Sequence, residues 1–568
     1  MDDQTPLHHP TLNCTLIGKP SPSTIEYRGL KYASIPARWK ESSPNDTLSP
    51  TTNGIYNATQ FGPSCPQKRG AQAWDLTLVG NTSLPCEQSQ GDGEVMHEFE
   101  CLTVNVTVPR HTKSHGNGNR NTIKSKKLPV FVWVHGGGLS MGTNSWPQYS
   151  LAAFVAHSAS IGKPVIAVSV NYRVGVLGFL ASRELGVDGN LGFKDVANAT
   201  RWVRRHVGGF GGDAAQVTAA GESAGGIVLS TLMCSREQGL WDRVVVMSGD
   251  VTLRKPRAWA WHEELYGEQI KMLGLDGLGK EERIRRLREW DAEAMCQKLP
   301  LAQHFCALVD GRWFKEPVDL AVLEDGRRWE HKPGWCREFA VGNTAHDGTI
   351  LKGRILDNPS AVSLLHTLCT RHLTPSESHT LLSAYNLLPP SISTATSSPP
   401  APSDPQQTIY ALLTLVSELR FHLPTLCAHH GWLTTTPPHR SSTRYAFHIS
   451  NPFPGPFQNL SSHELDVTFL LQNWNHLLSS KQQSAAQDMA SAFVRFTYGE
   501  GMGEEGKVTV FTDDGVEWLS GEAYDERFRG GREKVLRGID AVKLWRVAEG
   551  WQQVRPDEEE KGRGRAKL

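Results

Sequence analysis

Uninterrupted Val-rich runs alternate with stretches of helical spacing between residues 100 and 250, and this alternation constrains the fold most strongly. The clearest runs are "LPVFVWVHGG" at 128–137, "KPVIAVSVNY" at 163–172 and "RVVVMSG" at 243–249. A run without polar alternation is typical of a strand buried on both faces. Between the runs, residues 193–207 place apolar side chains at helical spacing. The order predicts an α/β fold whose large, mostly parallel central sheet is flanked by helices.

Charge and composition exclude several classes of protein. The 568 residues contain 59 Lys plus Arg and 59 Asp plus Glu, so no net field favours a nucleic acid or an anionic membrane surface. The sequence has no zinc-type Cys pair, no phosphate-binding Gly-Lys-Ser loop and no 18-residue apolar run. We therefore expect an enzyme without a metal, a cofactor, a nucleic-acid partner or an integral membrane segment. No pattern specifies an oligomeric state.

The domain organisation follows from where composition changes. Residues 111–127 are polar and basic, residues 389–407 are rich in Pro and Ser, and residues 552–568 are charged. We interpret the first two as surface insertions and the third as a C-terminal tail. The sequence thus predicts a single domain over residues 1–551.

Two cellular locations remain open. The N-terminus has no basic and apolar signal-peptide pattern. The last three residues, Ala566, Lys567 and Leu568, resemble the Ser-Lys-Leu peroxisomal address. Asn-x-Ser/Thr sequons, for example at Asn13, favour a secreted protein instead, if the N-terminus is incomplete.

The pattern Gly-x-Ser-x-Gly occurs twice, around Ser140 and around Ser223. A catalytic serine on a strained turn needs a buried strand before it, small flanking residues, and a helix after it whose N-terminus favours negative charge. "QVTAA" precedes Ser223, glycines surround it, and the helical "IVLSTLM" follows. Ser140 has a strand before it but no helix directly after it. We therefore identify Ser223 as the candidate nucleophile.

Ser140 has a different explanation. It follows "HGGG" at residues 135–138, a motif whose backbone N–H groups form part of an oxyanion hole in lipases and esterases. Glycines let the backbone approach a substrate oxygen without a Cβ in the way. The second match is thus predicted to supply hydrogen-bond donors and not the attacking group.

These motifs belong to a longer series of blocks in which the chain resembles the type-B carboxylesterase/lipase family, the cholinesterase-like branch of the α/β-hydrolase fold. The first half carries "RGLKYASIP", "GPSCPQ", "ECLTVNV", "VFVWVHGGG", "VNYRVGVLGFL", "GNLGFKDVANATRWVRRHVGGFGGD", "VTAAGESAGG" and "VVVMSG". Weaker blocks follow: "ALVDG", "VGNTAHDGT", "HELDVTFLL" and "FVRFTYGEG". The resemblance implies an α/β-hydrolase fold and a serine esterase or lipase.

The resemblance also implies the rest of a catalytic triad, because the fold supplies serine, acid and histidine in that chain order. Asp347 matches the acid position, where most of the family has Glu; its alternative is a turn-capping aspartate. His463 matches the histidine, followed by Glu464 where the family commonly has glycine. His448, in a strand-like stretch, is the runner-up for the base.

Supporting positions carry over in the same way. The oxyanion hole would consist of the N–H groups of Gly137, Gly138 and Ala224. Glu222 and Ser248 align with positions that support the catalytic residues; the alternative is an ordinary hydrogen-bonding role in the core.

Cysteines and tryptophans are the remaining candidates. Cys65 and Cys101 match the family's first disulfide, which would close the loop carrying Trp74 and would form in a secreted protein. The residues Cys296 and Cys306 form a second possible pair. Of the tryptophans, Trp74 and Trp146 are candidates for lining the pocket, and core packing is the alternative for both.

The expected reaction is hydrolysis of a small or lipophilic carboxylic ester through an acyl-enzyme, with a role in natural-product metabolism as one setting. Because the base must be a neutral imidazole, activity should fall below roughly pH 6 to 7. Two alternatives stay open: an acyltransferase or lactone-forming enzyme with the same triad, and a catalytically inactive relative.

Overall fold

The Val-rich runs lie at the centre of one large sheet. The computed structural model describes residues 6–49, 52–84, 94–110, 126–301, 303–389, 404–435 and 441–554. Within these ranges, thirteen of the fifteen strands join a single sheet that begins at Leu7 and ends at Leu519. Most of both predicted insertions and of the charged tail, namely residues 111–125, 390–403 and 555–568, lies outside the described residues. The single domain over 1–551 remains a prediction.

The strands, in chain order, are β1 Leu7–His9, β2 Cys14–Pro20, β3 Thr24–Lys31, β4 Ala33–Ser34, β5 Ser43–Pro44, β6 Ile55–Ala58, β7 Thr103–Pro109, β8 Leu128–Val134, β9 Ile166–Val170, β10 Gly212–Glu222, β11 Arg243–Met247, β12 Glu338–Thr344, β13 Ser441–His448, β14 Val508–Thr512 and β15 Gly515–Leu519. The order in the large sheet is β1-β2-β3-β7-β9-β8-β10-β11-β12-β13-β14-β15, with β6 beside β2. Strands β4 and β5 form a separate pair.

The α-helices are α1 Ala71–Leu76, α2 Ala152–Ser160, α3 Gly175–Phe179, α4 Leu191–His206, α5 Ala224–Cys234, α6 Trp259–Met272, α7 Lys280–Glu289, α8 Ala292–Lys298, α9 Leu320–Glu324, α10 Ala361–His372, α11 Pro375–Ala384, α12 Pro405–Ser417, α13 Leu423–Leu433, α14 Leu465–Leu471, α15 Ser480–Thr497, α16 Gly521–Tyr524, α17 Arg532–Arg537 and α18 Ala541–Trp551. Turns of 3-10 helix occupy Thr52–Gly54, Pro147–Tyr149, Val207–Phe210, Asp347–Leu351 and Asn475–Leu477. Segments of π-helix occupy Lys352–Leu356, Glu418–His422 and Asp525–Arg529.

The central strands are buried on both faces, as their composition predicts. In β8, Val130, Val132 and Val134 join one hydrophobic core, and Phe131 and Trp133 join the other. The first core includes side chains of α4, α5 and α13, and the second includes side chains of α2, α14 and α15. Because successive side chains of a strand point to opposite faces, an uninterrupted apolar run serves both cores at once.

Pairing is parallel in the centre and antiparallel at the flanks. From β9 through β8, β10, β11, β12 and β13 to β14, all neighbours are parallel. The N-terminal strands β1, β2, β3 and β7 and the last strand β15 pair antiparallel. The predicted large, mostly parallel sheet is therefore observed, with antiparallel flanks that the sequence pattern did not indicate.

Strand β10 passes into α5 through a turn with very close backbone contacts. A Cβ added to Gly225 would lie 2.0 Å from the carbonyl oxygen of Val134, in the neighbouring strand β8. A Cβ on Gly226 would lie 2.3 Å from the oxygen of Gly249, and one on Gly249 would lie 2.3 Å from the oxygen of Ser223. These glycines are required because backbone occupies the space that a side chain would need.

Replacing Gly225 by Ala should lower stability by about 3 kcal/mol, because the new methyl group meets a rigid strand carbonyl. We expect a melting temperature several degrees below that of the wild type, or loss of soluble protein. Gly267→Ala is the matched control. Gly267 lies inside α6 with no atom within 4 Å of an added Cβ, so alanine should leave the melting temperature equal or slightly higher. Equal melting temperatures for the two variants would contradict the packing argument.

Candidate active site

Ser223 occupies the sharp turn between β10 and α5. Its backbone is left-handed, with φ 51° and ψ −117°, which is strained for a residue with a side chain. The turn is fixed from both sides: Ser223 N donates to Met247 O at 2.9 Å, and Ile227 N donates to Ser223 O at 2.9 Å. Strand, strained serine and helix thus follow one another in the order that a nucleophile turn requires.

Asp347 and His463 meet although 116 residues separate them in the chain. Asp347 Oδ1 and His463 Nδ1 are 2.7 Å apart, and both side chains are buried. The other carboxylate oxygen, Oδ2, accepts from Thr344 N at 2.9 Å and from Ser248 Oγ at 3.1 Å. The structure therefore brings both predicted residues together, and it makes Ser248 a direct support of the acid.

The loops that carry the acid and the histidine are joined by their backbones. His346 N donates to Ser461 O at 2.9 Å, and Ser461 N donates to His346 Nδ1 at 3.1 Å. His463 N donates to Thr349 Oγ1 at 3.0 Å. These bonds hold the loop that carries His463 close to the end of β12. At this separation the Asp347 side chain, which is one methylene shorter than Glu, reaches the imidazole.

The third link of the triad is not formed in this structure. Ser223 and His463 line the same cavity, but none of the hydrogen bonds of the described residues joins Ser223 Oγ to His463 Nε2. The Nε2 atom lies 3.2 Å from Glu222 Oε1 instead. Bonds between a nucleophile and its base are often longer without a substrate and tighten when one binds.

Three backbone N–H groups are the predicted hydrogen-bond donors of the oxyanion hole. Gly137 and Gly138 have φ values of 102° and 61°, so the loop after β8 depends on glycine at both positions. Ala224 is the first residue of α5, where the helix leaves its N–H unpaired. Within the described residues, none of these three N–H groups donates to a backbone carbonyl. Gly137 and Gly138 line the cavity together with Ser223.

Buried carboxyl groups surround the histidine. Burial, followed by the charges of Glu464 and other acids, raises the pKa of Glu222 well above its usual range. Burial and the charge of Asp347 raise the pKa of Asp466 to about 8. Burial also raises the pKa of Asp75 to about 6, against hydrogen bonds from Gln148 and Tyr149. Most of this cluster therefore holds protons near neutral pH, which limits repulsion around the Asp347 carboxylate.

Glu464 departs from the expected glycine but keeps a glycine-like backbone, with φ 66° and ψ −7°. Its buried carboxyl group accepts a hydrogen bond from Tyr149 OH at 2.8 Å. Burial and the charge of Asp75 raise its pKa well above the usual range. The left-handed turn that glycine would adopt at no cost is thus occupied here by a protonated acid beside His463.

The cavity around Ser223 has a mixed lining. Its apolar or aromatic members are Trp74, Leu78, Met141, Ile227, Leu253, Leu301, Ile350, Leu351 and Phe421. Trp74 therefore lines the cavity as expected, whereas Trp146 is buried against Tyr149 and does not. Arg254 and Arg354 also line it, and neither stands in a motif that pointed to the site.

His448, the runner-up for the base, has a structural partner elsewhere. It ends β13, and its Nε2 lies 3.1 Å from Tyr524 OH. Its ring also packs against Phe528, with 4.5 Å between the ring centroids. The strand position therefore serves packing, as its alternation suggested.

Cys65 and Cys101, the predicted disulfide pair, are both free thiols in this structure. Val174 N donates to Cys65 Sγ at 3.5 Å, and Cys101 Sγ donates to Glu98 O at 3.6 Å. A hydrogen bond with the Cys65 side chain and burial raise the pKa of the Cys101 thiol well above its usual range. The two side chains are adjacent, and the disulfide between them stays a prediction.

The second cysteine pair is not supported. Cys296 Sγ donates to Pro66 O at 3.4 Å, and Cys306 Sγ lies 3.9 Å from His262 Nε2. The two thiols therefore have different neighbours.

The described ranges contain no group of three or more His, Cys, Asp or Glu side chains able to hold a metal ion. They also contain no helix with the length and apolar character needed to span a bilayer.

Comparison with known proteins relates the chain to the carboxylesterase family. A family model described as the carboxylesterase family matches residues 14–511. Lipase 1 of Yarrowia lipolytica is 33% identical over 247 residues, which are 42% of this chain and 45% of that protein. Para-nitrobenzyl esterase of Bacillus subtilis is 34% identical over 228 residues, or 39% and 40% of the two chains. The alignments thus span less than two thirds of the length of either relative.

Solved structures agree in fold over a longer stretch. A PNB esterase structure superposes with a TM-score of 0.66 and 21% identity, covering 94% of this chain and all of the other. A thermophilic PNB esterase gives a TM-score of 0.67 at 20% identity and the same 94% coverage of this chain. The predicted α/β-hydrolase fold is therefore confirmed.

Stability should depend on pH through Asp466. The carboxyl group has a pKa of about 8 in the folded state and about 4 in an unfolded chain, so the folded state binds the extra proton. This stabilisation is fully present below about pH 4 and is lost as pH rises towards 8. Asp466→Asn removes the titration, so its melting temperature should fall less than that of the wild type between pH 5 and pH 8, by on the order of a few degrees.

Asp514→Asn is the control for this pH series, because Asp514 is exposed and its ion pair with Lys481 lowers its pKa. This variant should retain the wild-type slope. If Asp466→Asn also retains it, Asp466 does not carry the proton.

Proposed function

Because the chain belongs to the carboxylesterase family, we propose that it is a serine carboxylic-ester hydrolase in which Ser223, Asp347 and His463 form the catalytic triad. The proposal depends above all on one observation. The 2.7 Å contact between Asp347 and His463 is buried beside a strained serine that faces the same cavity. A structural role for these residues would require neither the strained backbone nor the shared cavity.

Each member of the proposed triad has a distinct role. His463 Nε2 removes the hydroxyl proton of Ser223, and Ser223 Oγ attacks the ester carbonyl carbon. Asp347 accepts from the Nδ1–H of His463, which keeps Nε2 free as the base and stabilises the imidazolium that forms. Ser248 Oγ and Thr344 N donate to Asp347 Oδ2 and hold the carboxyl group in position for His463.

The negative charge of the tetrahedral intermediate falls on the former carbonyl oxygen. The free N–H groups of Gly137, Gly138 and Ala224 are suited to bind it, and each donor lowers the barrier by roughly 3 kcal/mol. Collapse of the intermediate breaks the bond to the alcohol oxygen, which leaves with the proton from His463. Water then attacks the acyl-serine along the same route and releases the acid.

The apolar part of the cavity supports a lipophilic acyl or alcohol group. Leu253, Ile350 and Phe421 lie in the lining near Ser223, and burying a side chain-sized apolar group contributes about 1.5 to 3 kcal/mol. Relatives named lipase and para-nitrobenzyl esterase are consistent with an apolar substrate of this kind. A role in natural-product metabolism remains a prediction from the sequence.

Ser223→Ala should reduce kcat on 4-nitrophenyl butyrate by at least about 10³-fold, because it removes the proposed nucleophile that forms the acyl-enzyme. The wild type should also react covalently with a fluorophosphonate, and peptide mass spectrometry should find the label on Ser223.

Ser140→Ala is the comparison variant, since Ser140 occupies the other Gly-x-Ser-x-Gly pattern. The fluorophosphonate should still label it at Ser223. A label on Ser140, or no label on the wild type, would refute the assignment; the second result would favour the catalytically inactive alternative.

A further inference from the structure

Arg254 brings a positive charge to the site cavity without a carboxylate partner. Its Nη1 donates to His304 Nδ1 at 2.7 Å. Among the described residues, no Asp or Glu oxygen forms an ion pair with its guanidinium. Arg354 also lines the cavity, and no ion pair of the described residues involves it either. Arg354 is exposed to solvent, whereas Arg254 is partly buried and lacks the acidic partner that a buried arginine usually has.

The surroundings of Arg254 do not neutralise it. Burial and the positive charge of Arg354 lower its pKa to about 10, so it stays charged at neutral pH. Its hydrogen-bond partner His304 is uncharged, because burial and the nearby arginines lower the pKa of that imidazole well below its usual range.

The nearest acids are already engaged. Glu549 Oε1 pairs with Arg257 Nη2 at 2.8 Å. Asp250 accepts from the backbone N–H and the hydroxyl group of Thr252, each at 2.6 Å. Further charge comes from the buried Arg420, which stacks on Trp545. Of the arginines of this region, Arg254 lines the site cavity itself, together with Arg354.

Arg254 also lies close to the proposed oxyanion loop. Its Nη2 is 3.6 Å from the position that a Cβ on Gly138 would occupy. A substrate carbonyl bound at Gly138 would therefore have the guanidinium within a few bond lengths. Arg354 additionally lines a second, wider cavity together with Trp261, His304 and Glu268.

The acidic part of the cavity is not an equivalent site for a cation. Asp75 accepts hydrogen bonds from Gln148 and Tyr149, and Glu464 accepts one from Tyr149. The raised pKa of Glu464 leaves that group protonated at neutral pH. Asp75, with a pKa of about 6, is largely ionised at neutral pH, but its Oδ2 already accepts the hydrogen bonds from Gln148 and Tyr149. The charge that a substrate meets at Arg254 is thus positive.

We propose that Arg254, assisted by Arg354, binds a carboxylate carried by the ester substrate a few bonds from the scissile carbonyl. The substrate class is then a half-ester of a short dicarboxylic acid, or an ester whose alcohol bears a carboxylate. This inference rests on the proposed hydrolase function and specifies its substrate. A guanidinium binds a carboxylate through two parallel hydrogen bonds, and the bound anion would supply the partner that Arg254 lacks.

The test compares anionic esters with neutral esters of the same length. On the acyl side, 4-nitrophenyl hemiglutarate is compared with 4-nitrophenyl valerate. On the alcohol side, the butyrate ester of 4-hydroxybenzoate is compared with that of its methyl ester. We expect the wild type to prefer one anionic ester over its neutral partner by at least about 10-fold in kcat/KM, and the preferred pair identifies the side on which the carboxylate binds.

Two variants separate charge from structure. Arg254→Gln should remove the preference, with a loss of about 10- to 100-fold on the anionic ester and less than about 3-fold on the neutral one. Arg254→Lys should retain part of it. Because Arg254→Gln deletes an unpaired charge, its melting temperature should equal or exceed that of the wild type. Arg327→Gln, at an exposed arginine paired with Asp325, should change neither ratio.

Several results would overturn the proposal. Equal losses on anionic and neutral esters would make Arg254 a general stabiliser of the oxyanion, and a wild type that disfavours both anionic esters would exclude a carboxylate subsite.

A binding measurement that needs no turnover separates this proposal from the hydrolase function. Glutarate should raise the melting temperature of the wild type and of Ser223→Ala, but not of Arg254→Gln. If no ester is cleaved and glutarate still stabilises, only the hydrolase assignment fails; if esters are cleaved and glutarate has no effect, only the carboxylate subsite fails.

Discussion

Parallel pairing of β8, β10, β11, β12 and β13 directs five strand ends to one edge of the sheet. The glycine loop follows β8, Ser223 follows β10, Ser248 follows β11 and Asp347 follows β12, while His463 lies in the loop after β13. In open α/β sheets, ligands bind outside the carboxyl ends of the strands, because loops from neighbouring strands converge there. Residues that are far apart in the chain become neighbours at the site because the strands that precede them are adjacent in the sheet.

Burial determines which side chains around the cavity carry a charge, because it excludes the water that would stabilise an ionised group. Acids gather around the histidine, and burial raises the pKa values of Glu222, Glu464 and Asp466 above their usual range. Arginine cannot respond in the same way, because its pKa is too high for burial to neutralise it at neutral pH. Arg254 therefore retains its charge where Glu464 loses its own, although both side chains line the same cavity.

Much of the fold and of the proposed triad was predictable from the sequence, since both depend on local patterns. The runs at 128–134 and 243–247 are strands, and residues 191–206 form the predicted helix. Asp347 and His463 were found by resemblance to family blocks, and the structure brings them within hydrogen-bonding distance. Arg254 was not predictable, because it lies in no motif and its significance is the absence of a partner. The antiparallel flanks were missed because short edge strands have no distinctive composition.

The sequence alone determined the nature of the sheet and the turn that carries Ser223. Uninterrupted apolar runs can only be buried on both faces, and the glycines around Ser223 exist because backbone atoms approach to within van der Waals contact. Only the tertiary structure decided which acid meets which histidine, which carboxyl groups hold protons, and which arginine faces the cavity unpaired. Those properties depend on distances and burial between segments that are more than a hundred residues apart, and no local pattern in a chain encodes them.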